Sequence, residues 1–405
     1  MTHRPTPPGS VPLDRLAARF RAFEVGDPLY RAVCDAVAAR PDWLAMLWQA
    51  PPGQQLPNLW LAALHDRVLA GSAHPLRDYY PSVGGTRAPD AALAATLDGF
   101  VRSDAAALEA SIRTRRTQTN EIGRCAVLWP ALHAIARRHA TSTLALFDLG
   151  CSAGLNLGVD RYAYRYLSSD ADADAESDAD ADADAAAAAD AAAAAVAGAQ
   201  PAADTQHGAP EPPTLACRLL GRNPLPRRVP ALRLVARLGV DPMPVDVDDP
   251  SAVRWLRACL WPGDHGRDRR LQQAEALAQR ERWPVRAGAD CVALIEPWLD
   301  TLPPGTLPVV FNNWVLHYVD AAALSRHVAA MSDLMRRRGV VWLSAEGPHV
   351  RIAALALPPS VAPDDPVSTT LWIVGSAHDA AAHFELLARS HAHGHWLEWC
   401  APLPG

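Results

Sequence analysis

The sequence predicts an α/β protein in which a Rossmann-like, doubly wound sheet follows an all-helical N-terminal region. Apolar residues recur at three- and four-residue spacing along residues 1–140. Short apolar segments alternate with helical ones after residue 213, and a glycine-rich loop directly follows the apolar residues 144–149. Because alternating strands and helices indicate a parallel sheet, we expect a helical cap region over residues 1–140 and a Rossmann-like domain over residues 141–405.

The composition predicts a globular protein. Of the 405 residues, 49% are hydrophobic, and no run approaches the roughly 18 apolar residues of a membrane span. The formal charge is −6, but nine of the 44 acids lie between Asp170 and Asp190, and removing them leaves 35 acids against 38 basic residues. We therefore expect no nucleic-acid partner, no membrane partner and a small-molecule substrate, while the oligomeric state stays open. Seven separated cysteines indicate a reduced, cytoplasmic protein.

The chain contains no lysine, since all of its basic residues are arginines. A P-loop requires a lysine on the phosphates, and Schiff-base chemistry requires a lysine amine. Kinase, P-loop and aldolase-type activities are therefore excluded.

The N-terminal elements are predicted from helical spacing. Four segments carry it, broken by proline and glycine: residues 13–23, 28–50, 56–71 and 90–116. A further helix begins at cap-type residues 117–120, continues despite Pro130, and leads into a strand at residues 144–149. An alanine–aspartate tract over residues 168–213 buries almost no apolar surface, and we predict a disordered insertion there.

The later elements alternate. Residues 251–261 and 268–280 are predicted helices, and residues 283–290, 307–314 and 339–347 are predicted to contain strands. The second strand of the sheet has two candidates, residues 162–167 and residues 232–241, so the acid that would bind a ribose is either Asp160 or Asp241. Near the end, residues 371–375 and 393–399 are predicted to pair antiparallel at one edge of the sheet.

The loop itself, LALFDLGCSAGLNL at residues 144–157, permits two functions. Residues 150–154 read G-x-S-x-G, the turn on which α/β-hydrolases expose a nucleophilic serine, here Ser152. Alternatively, Asp148 followed by Gly150 and Gly154 is an acid, a glycine turn and a helix start, as in nucleoside-binding α/β folds. In a hydrolase several strands and an oxyanion segment precede the serine, whereas everything before residue 144 is predicted to be helical. A dinucleotide loop would need glycine at position 152.

These features favour a class I methyltransferase-like protein that binds S-adenosylmethionine. Asp148 would meet the amino group of the cofactor, and the glycines would let the backbone approach it. Asp290 ends the predicted third strand, where an aspartate would accept a hydrogen bond from the adenine amino group. The candidate cofactor-binding residues are Asp148, Gly150, Ser152, Gly154, Asn156, Asp241, Asp290 and Asn312.

The acceptor side of the site is less defined. Asn313, which ends the fourth strand, and His317, a possible base, are the catalytic candidates, and Asn120, Glu121 and Arg124 could reach over the loop. Amino-methylating enzymes often carry N-P-P-Y where this chain has Asn312-Asn313-Trp314, which argues against base or glutamine N-methylation. We predict no metal at the alternating histidines His391, His393 and His395, because a glycine interrupts them. A degenerate fold that serves as an interaction module is the non-enzymatic alternative.

Four separated segments together resemble the bacterial domain of unknown function 2332, over nearly the whole chain. They are RTQTNEIGRCAVLWPAL, DLGCSAGLNLGVDRYAYRY, GVDPMPVDVDDPSAVRWLRACLWP and SHAHGHWLEW. The resemblance implies a methyltransferase-like fold and brings no established substrate or catalytic residue. The alanine–aspartate tract is not part of the family pattern.

Overall fold

A computed structural model describes residues 10–23, 26–118, 120–168, 211–362, 368–378 and 381–402. Its α-helices are α1 (Leu13–Arg21), α2 (Pro28–Ala38), α3 (Pro41–Met46), α4 (Pro57–Leu69), α5 (Leu93–Thr114), α6 (Cys125–Arg138), α7 (Pro250–Ala258), α8 (His265–Glu281), α9 (Ile295–Leu299) and α10 (Ala321–Arg338). Its strands are β1 (Thr143–Leu149), β2 (Ala163–Ser168), β3 (Thr214–Leu220), β4 (Arg233–Asp241), β5 (Val285–Ala287), β6 (Leu307–Asn313), β7 (Val341–Glu346), β8 (Thr369–His378), β9 (Ala381–His391) and β10 (Trp396–Trp399).

The chain divides into two compact units, residues 1–119 with 245–269 and residues 120–244 with 270–405. This division differs from the predicted boundary at residue 140, because α6 belongs to the unit that holds the sheet. It also assigns α7 to the first unit. The predicted insertion at residues 168–213 lies largely outside the described residues, which resume at residue 211.

All of the regular secondary structure in the described residues of the first unit is helical. Proline occupies the first turn of α2, α3, α4 and α7, where its fixed backbone angle suits a helix start. The side chain of Asp27 caps α2 by accepting from the N–H of Tyr30 at 2.9 Å. The core is mainly aliphatic and includes several aromatic side chains, of which Trp43 stacks on Trp60 with ring centroids 5.9 Å apart.

The second unit is built on a ten-stranded, mostly parallel sheet, so the protein is of mixed α/β class. The strand order is β2-β3-β10-β9-β8-β7-β6-β1-β4-β5. The five strands β5, β4, β1, β6 and β7 are parallel neighbours. When these five strands are renumbered 1 to 5 in the order in which they occur along the chain, their order across the sheet is 3-2-1-4-5. β7–β8, β8–β9 and β9–β10 pair antiparallel, and β3 pairs in parallel with β10 and β2.

The structure corrects the predicted pairing near the end of the chain. β8 and β10 are strands, but β9 lies between them and pairs antiparallel with both, and β10 is an interior strand beside β3. Both candidates for the second strand are also strands. β4 lies beside β1, whereas β2 is an edge strand at the far side of the sheet.

Two local predictions around the glycine loop are also corrected. The helix predicted from residue 117 begins only at Cys125, after a 3-10 turn over Ile122–Arg124, and it accommodates Pro130. After Gly154 the chain makes a 3-10 turn, Leu155–Gly158, rather than starting an α-helix, and continues into β2. The contact of Gly158 with Trp283 and the hydrogen bond from the Tyr162 hydroxyl to the Leu155 carbonyl, 2.6 Å, hold this turn.

Candidate functional site

The candidate site lies at the carboxyl ends of β4, β1 and β6. Because these strands are parallel neighbours, their ends meet at one edge of the sheet. Asp148 is the penultimate residue of β1, Asp241 ends β4 and Asn313 ends β6. The chain order reverses direction between β1 and β6, the position at which open α/β sheets bind ligands.

The glycine loop adopts a backbone that only small residues tolerate. Gly150 and Gly154 have φ angles of 77° and 71°, and Ser152 also lies in the left-handed region, at 52°. A Cβ at Gly150 would collide with the Cγ atoms of Val315, and one at Gly154 would lie 2.6 Å from Val285. The glycines are therefore required by both backbone conformation and space.

The loop is held against β4 by backbone hydrogen bonds. The N–H groups of Gly150 and Cys151 donate to the Val240 carbonyl at 2.8 and 3.2 Å. The N–H of Ser152 donates to Oδ2 of Asp241 at 2.9 Å. Asp241 thus connects the end of its strand to the middle of the loop.

Asn120 fastens the loop from the other side. Its amide Nδ2 donates to the Cys151 carbonyl at 3.2 Å, and its Oδ1 accepts from the Leu155 N–H at 3.3 Å. One side chain thus bonds to both ends of the turn. Sequence analysis placed Asn120 over the loop, and the structure brings it there as a support for the loop backbone.

Two buried side chains at the strand ends have polar atoms without a hydrogen-bond partner. Asp148 is 1% exposed, and its Oδ2 has no partner in the described protein. Asn313 is 8% exposed, and neither its Oδ1 nor its Nδ2 has one. Because β1 pairs Asp148 with Phe311, two residues before Asn313, both side chains lie on the same face of the sheet. Buried polar groups are normally bonded, so these atoms are candidates for contact with a polar ligand.

The carboxyl group of Asp148 is electrostatically perturbed. Burial, followed by repulsion from Asp241, raises its pKa from 3.8 to about 7. A carboxyl group in this state gains most from a cationic partner, which would restore its charge.

Asp160 and Asp241, the two candidate ribose acids, have different surroundings. Asp160 forms a bidentate ion pair with Arg237, with both oxygens 2.6 Å from guanidinium nitrogens. Asp241 accepts backbone N–H groups from Ser152 and Met243, at 2.9 and 2.8 Å, and lies at the loop. Asp241 therefore lies at the loop with no ion pair to Arg237, whereas the carboxylate of Asp160 is paired with Arg237.

Three of the predicted cofactor residues make hydrogen bonds within the fold. Asp290 is exposed and caps the turn that follows β5, accepting from the N–H groups of Val292 and Ala293 at 3.1 and 3.2 Å. Asn312 is completely buried, and its amide is fully bonded to Trp342, Ser344 and Glu346 at 2.7 to 3.0 Å. Asn156 lies in the turn after the loop, where its Oδ1 accepts from the thiol of Cys125 at 3.4 Å.

Glu121 and Arg124 are anchored to the turn between β9 and β10. Oε1 of Glu121 accepts from the Gly123 N–H at 2.9 Å, and its Oε2 lies 3.2 Å from Nδ1 of His393. Arg124 donates to the Ala392 carbonyl at 2.6 Å. Both side chains thus hold the start of α6. The acidic partner of His393 is a residue distant in sequence, which sequence analysis did not identify.

His317 and Glu346 form a second group beside the loop. His317 lies in the 3-10 turn Leu316–Tyr318 that follows β6, and its Nδ1 is 3.9 Å from Oε2 of Glu346. Glu346, 3% exposed, ends the neighbouring strand β7. Sequence analysis missed Glu346. Its position as the single acidic residue at the end of the apolar strand β7 could have predicted a place in the site.

Neither a metal cluster nor a membrane helix is found in the part of the chain that the structure describes. No three His, Cys, Asp or Glu side chains are arranged there to hold a metal ion. His391 and His395 stack with ring centroids 4.3 Å apart. Among the described helices, none is long and apolar enough to cross a bilayer.

Comparison with known proteins identifies a family without an assigned activity. Residues 15–399 match the family model described as "Uncharacterized protein conserved in bacteria (DUF2332)". No curated protein and no solved structure matches the chain.

Proposed function

The chain belongs to the DUF2332 family of bacterial proteins, and within this family we propose that it is a methyltransferase-like protein that binds S-adenosylmethionine at the loop after β1. The observation that carries the proposal is the buried Asp148, whose unpartnered oxygen and raised pKa fit the ammonium group of that cofactor. A single cation placed there would satisfy the oxygen and offset the cost of burying the charge.

The strand order supports the same ligand class. The order 3-2-1-4-5 of the five parallel strands is that of the Rossmann-like nucleoside-binding sheets, in which the ligand lies over the first and fourth strands. Asp148 and Asn313 lie at that place. Asp241, at the end of the adjacent strand, is the residue placed to accept ribose hydroxyl groups.

The turn after the loop favours a nucleoside that carries no phosphate. Phosphate sites in these folds use the N–H groups and dipole at the start of a helix. Here the loop leads into the four-residue 3-10 turn Leu155–Gly158 and then a strand. A sulfonium nucleoside needs no such helix, whereas a dinucleotide would lose its main source of binding energy.

The residues of the chain would bind and orient the reactants. When bound, S-adenosylmethionine supplies a methyl group on a positively charged sulfur. Asp148 would hold the ammonium group, and Asn313 would offer its amide to the reacting centre. Transfer needs mainly alignment in a site from which water is excluded, and the burial of both side chains supports this part of the proposal. We propose a small-molecule acceptor, and a cytoplasmic setting that keeps the seven free thiols reduced.

Calorimetry tests the proposal directly. We expect S-adenosylmethionine and its demethylated product to bind with micromolar affinity, about −8 kcal/mol, and Asp148→Ala to weaken binding at least tenfold. Asp300→Asn, which changes a 68% exposed carboxylate, is the matched control and should bind as the wild type does. The absence of heat with either ligand, from protein shown to be folded by circular dichroism, contradicts the assignment. Binding without transfer to any acceptor would instead support the interaction-module alternative.

A further inference from the structure

Glu346 is fixed by the turn that carries His317. Its Oε1 accepts hydrogen bonds from the backbone N–H groups of Val315 and Leu316, at 2.9 and 3.1 Å. It also accepts from Nδ2 of Asn312 at 2.7 Å. Three donors on one oxygen leave the carboxyl group little freedom, so the position of Oε2 is determined as well.

Oε2 of Glu346 and Nδ1 of His317 are both buried, and neither has a hydrogen-bond partner in the described residues. They lie 3.9 Å apart, with the histidine side chain 21% exposed and the glutamate side chain 4% exposed. One nitrogen of the imidazole therefore meets a buried carboxyl group while part of the ring reaches the surface. Contacts between catalytic groups are often this long before substrate binds, and they shorten in the complex.

The turn carrying His317 lies against the glycine loop. Val315, two residues before the histidine, occupies the space that a side chain at Gly150 would need. Aromatic rings flank the imidazole, with the Tyr318 centroid at 3.7 Å and the Trp314 centroid at 5.5 Å. Tyr318 is 63% exposed. A planar aromatic molecule could stack on this surface with a substituent directed at the histidine.

We propose that His317 is the catalytic base, that Glu346 is its positioning residue, and that the methyl acceptor is a phenolic hydroxyl group. This inference rests on the proposed function. Nε2 of His317 takes the proton as the O–H bond breaks, and an electron pair of the oxygen forms the bond to the methyl carbon. The carbon–sulfur bond breaks with its pair going to sulfur, which becomes a neutral thioether. Glu346 stabilises the resulting imidazolium.

The acceptor class follows from the presence of a base. A neutral amine attacks with its own lone pair and needs no proton removed beforehand. A phenol, with a pKa of about 10, is a weak nucleophile until a base removes its proton, and a histidine is strong enough to assist. We choose a phenol over an aliphatic hydroxyl group because aromatic rings flank the imidazole and offer a surface for a planar acceptor.

The tautomer of His317 tests the pairing without any cofactor. Nitrogen NMR of the full chain, labelled at histidine and held above the histidine titration range, should show His317 with its proton on Nδ1. His317→Gln identifies the signals by their loss. Glu346→Gln should shift the proton largely to Nε2, and the control Glu385→Gln, which alters an exposed ion pair with Arg138, should leave it on Nδ1. A wild-type His317 with its proton on Nε2 overturns the proposal.

Methyl transfer tests the acceptor class. With S-adenosylmethionine present, 4-ethylphenol should be methylated and 4-ethylaniline should not, and Glu346→Gln should lower kcat at least tenfold with KM nearly unchanged. Transfer to the aniline alone, or to neither compound, contradicts the acceptor assignment even if calorimetry shows that the cofactor binds. Absence of cofactor binding would instead remove the proposed function, whereas the tautomer result would still report on the pair.

Discussion

Asp148 and Asp241 end adjacent parallel strands, and the negative charge of Asp241 adds to burial in raising the pKa of Asp148 to about 7. The two carboxyl groups have different roles in the fold. Asp241 accepts two backbone N–H groups, whereas Asp148 keeps a buried oxygen without a partner. Charge at Asp148 is therefore costly in the protein alone and becomes favourable when a cation binds.

The stability of the protein should fall as pH rises from about 4 to about 7 and level off above that value. The folded-state pKa of Asp148 is raised from 3.8 to about 7, so its contribution to the free energy of unfolding is complete below pH 4 and is lost as pH rises through the folded value. A shift of this size corresponds to about 4 kcal/mol at most. Urea denaturation at pH 5 to 8 should show that Asp148→Asn removes this dependence. Parallel curves for wild type and variant would contradict it.

The affinity for the cofactor should depend on pH in the opposite direction from stability, because it should fall as pH decreases below 7. Below pH 7 Asp148 is protonated in the free protein, so binding of an ammonium group must expel that proton, and affinity drops by close to tenfold per pH unit. Calorimetry at pH 6 in two buffers of different ionisation enthalpy measures how many protons are released when the cofactor binds. Equal heats in the two buffers would exclude Asp148 as the partner of the ligand.

Ser152 and Asp148 distinguish the hydrolase from the methyltransferase. We expect no labelling of the wild type by a fluorophosphonate probe. Asp148→Ala should cost roughly 1.5–3 kcal/mol of cofactor binding, whereas Ser152→Ala should cost less, because the N–H that bonds to Asp241 is retained. Probe labelling that disappears in Ser152→Ala would establish the hydrolase and remove the proposed function.

Asn120→Ala should loosen the glycine loop. It removes the bonds to the Cys151 carbonyl and the Leu155 N–H, so we expect a loss of about 1–2 kcal/mol in stability and weaker cofactor binding. Asn223→Ala is the matched control, since its amide makes one bond, to the Trp399 carbonyl, away from the loop. Equal affinities for the two variants would show that the loop keeps its conformation without Asn120.

Residues 169–210 should tolerate shortening only to a limit. β2 and β3 pair in parallel, with Ala163 opposite Thr214 and Ser168 opposite Leu219. The connection must therefore return along the full length of the strands, which takes about a dozen residues or more. Replacing the segment with about sixteen Gly/Ser residues, enough for one such crossover, should preserve the thermal midpoint of unfolding. A replacement of about three residues should lower the midpoint strongly, because so short a connection cannot span the length of the strands. Similar midpoints would contradict the parallel pairing.

The strands that position the site could be predicted because they are buried on both faces. β1, β6 and β7 are mostly apolar, which is typical of central parallel strands, and each ends in a polar residue or is followed by a glycine. Gly150 and Gly154 likewise predicted a tight loop. These signals are local, so a single sequence contains them.

The remaining features depend on contacts between distant residues. β9 is rich in alanine and leucine, and its pairing with β8 and β10 decides its conformation rather than its own composition. Asn312 and Asn313 are adjacent in sequence and face opposite sides of the sheet. The structure of β7 shows that the amide of Asn312 is already hydrogen-bonded within the fold. It also shows that Glu346 lies beside His317.

The junction of β3 with β10 has a consequence for biosynthesis. β3 emerges from the ribosome at residues 214–220, and its partner β10 only at residues 396–399. At roughly 5–20 residues per second the nascent β2–β3 pair waits on the order of ten to thirty seconds with an open edge. During that interval it is exposed to pairing with other chains. The synthesis of β10 therefore sets the moment at which this edge of the sheet is covered and protected from aggregation.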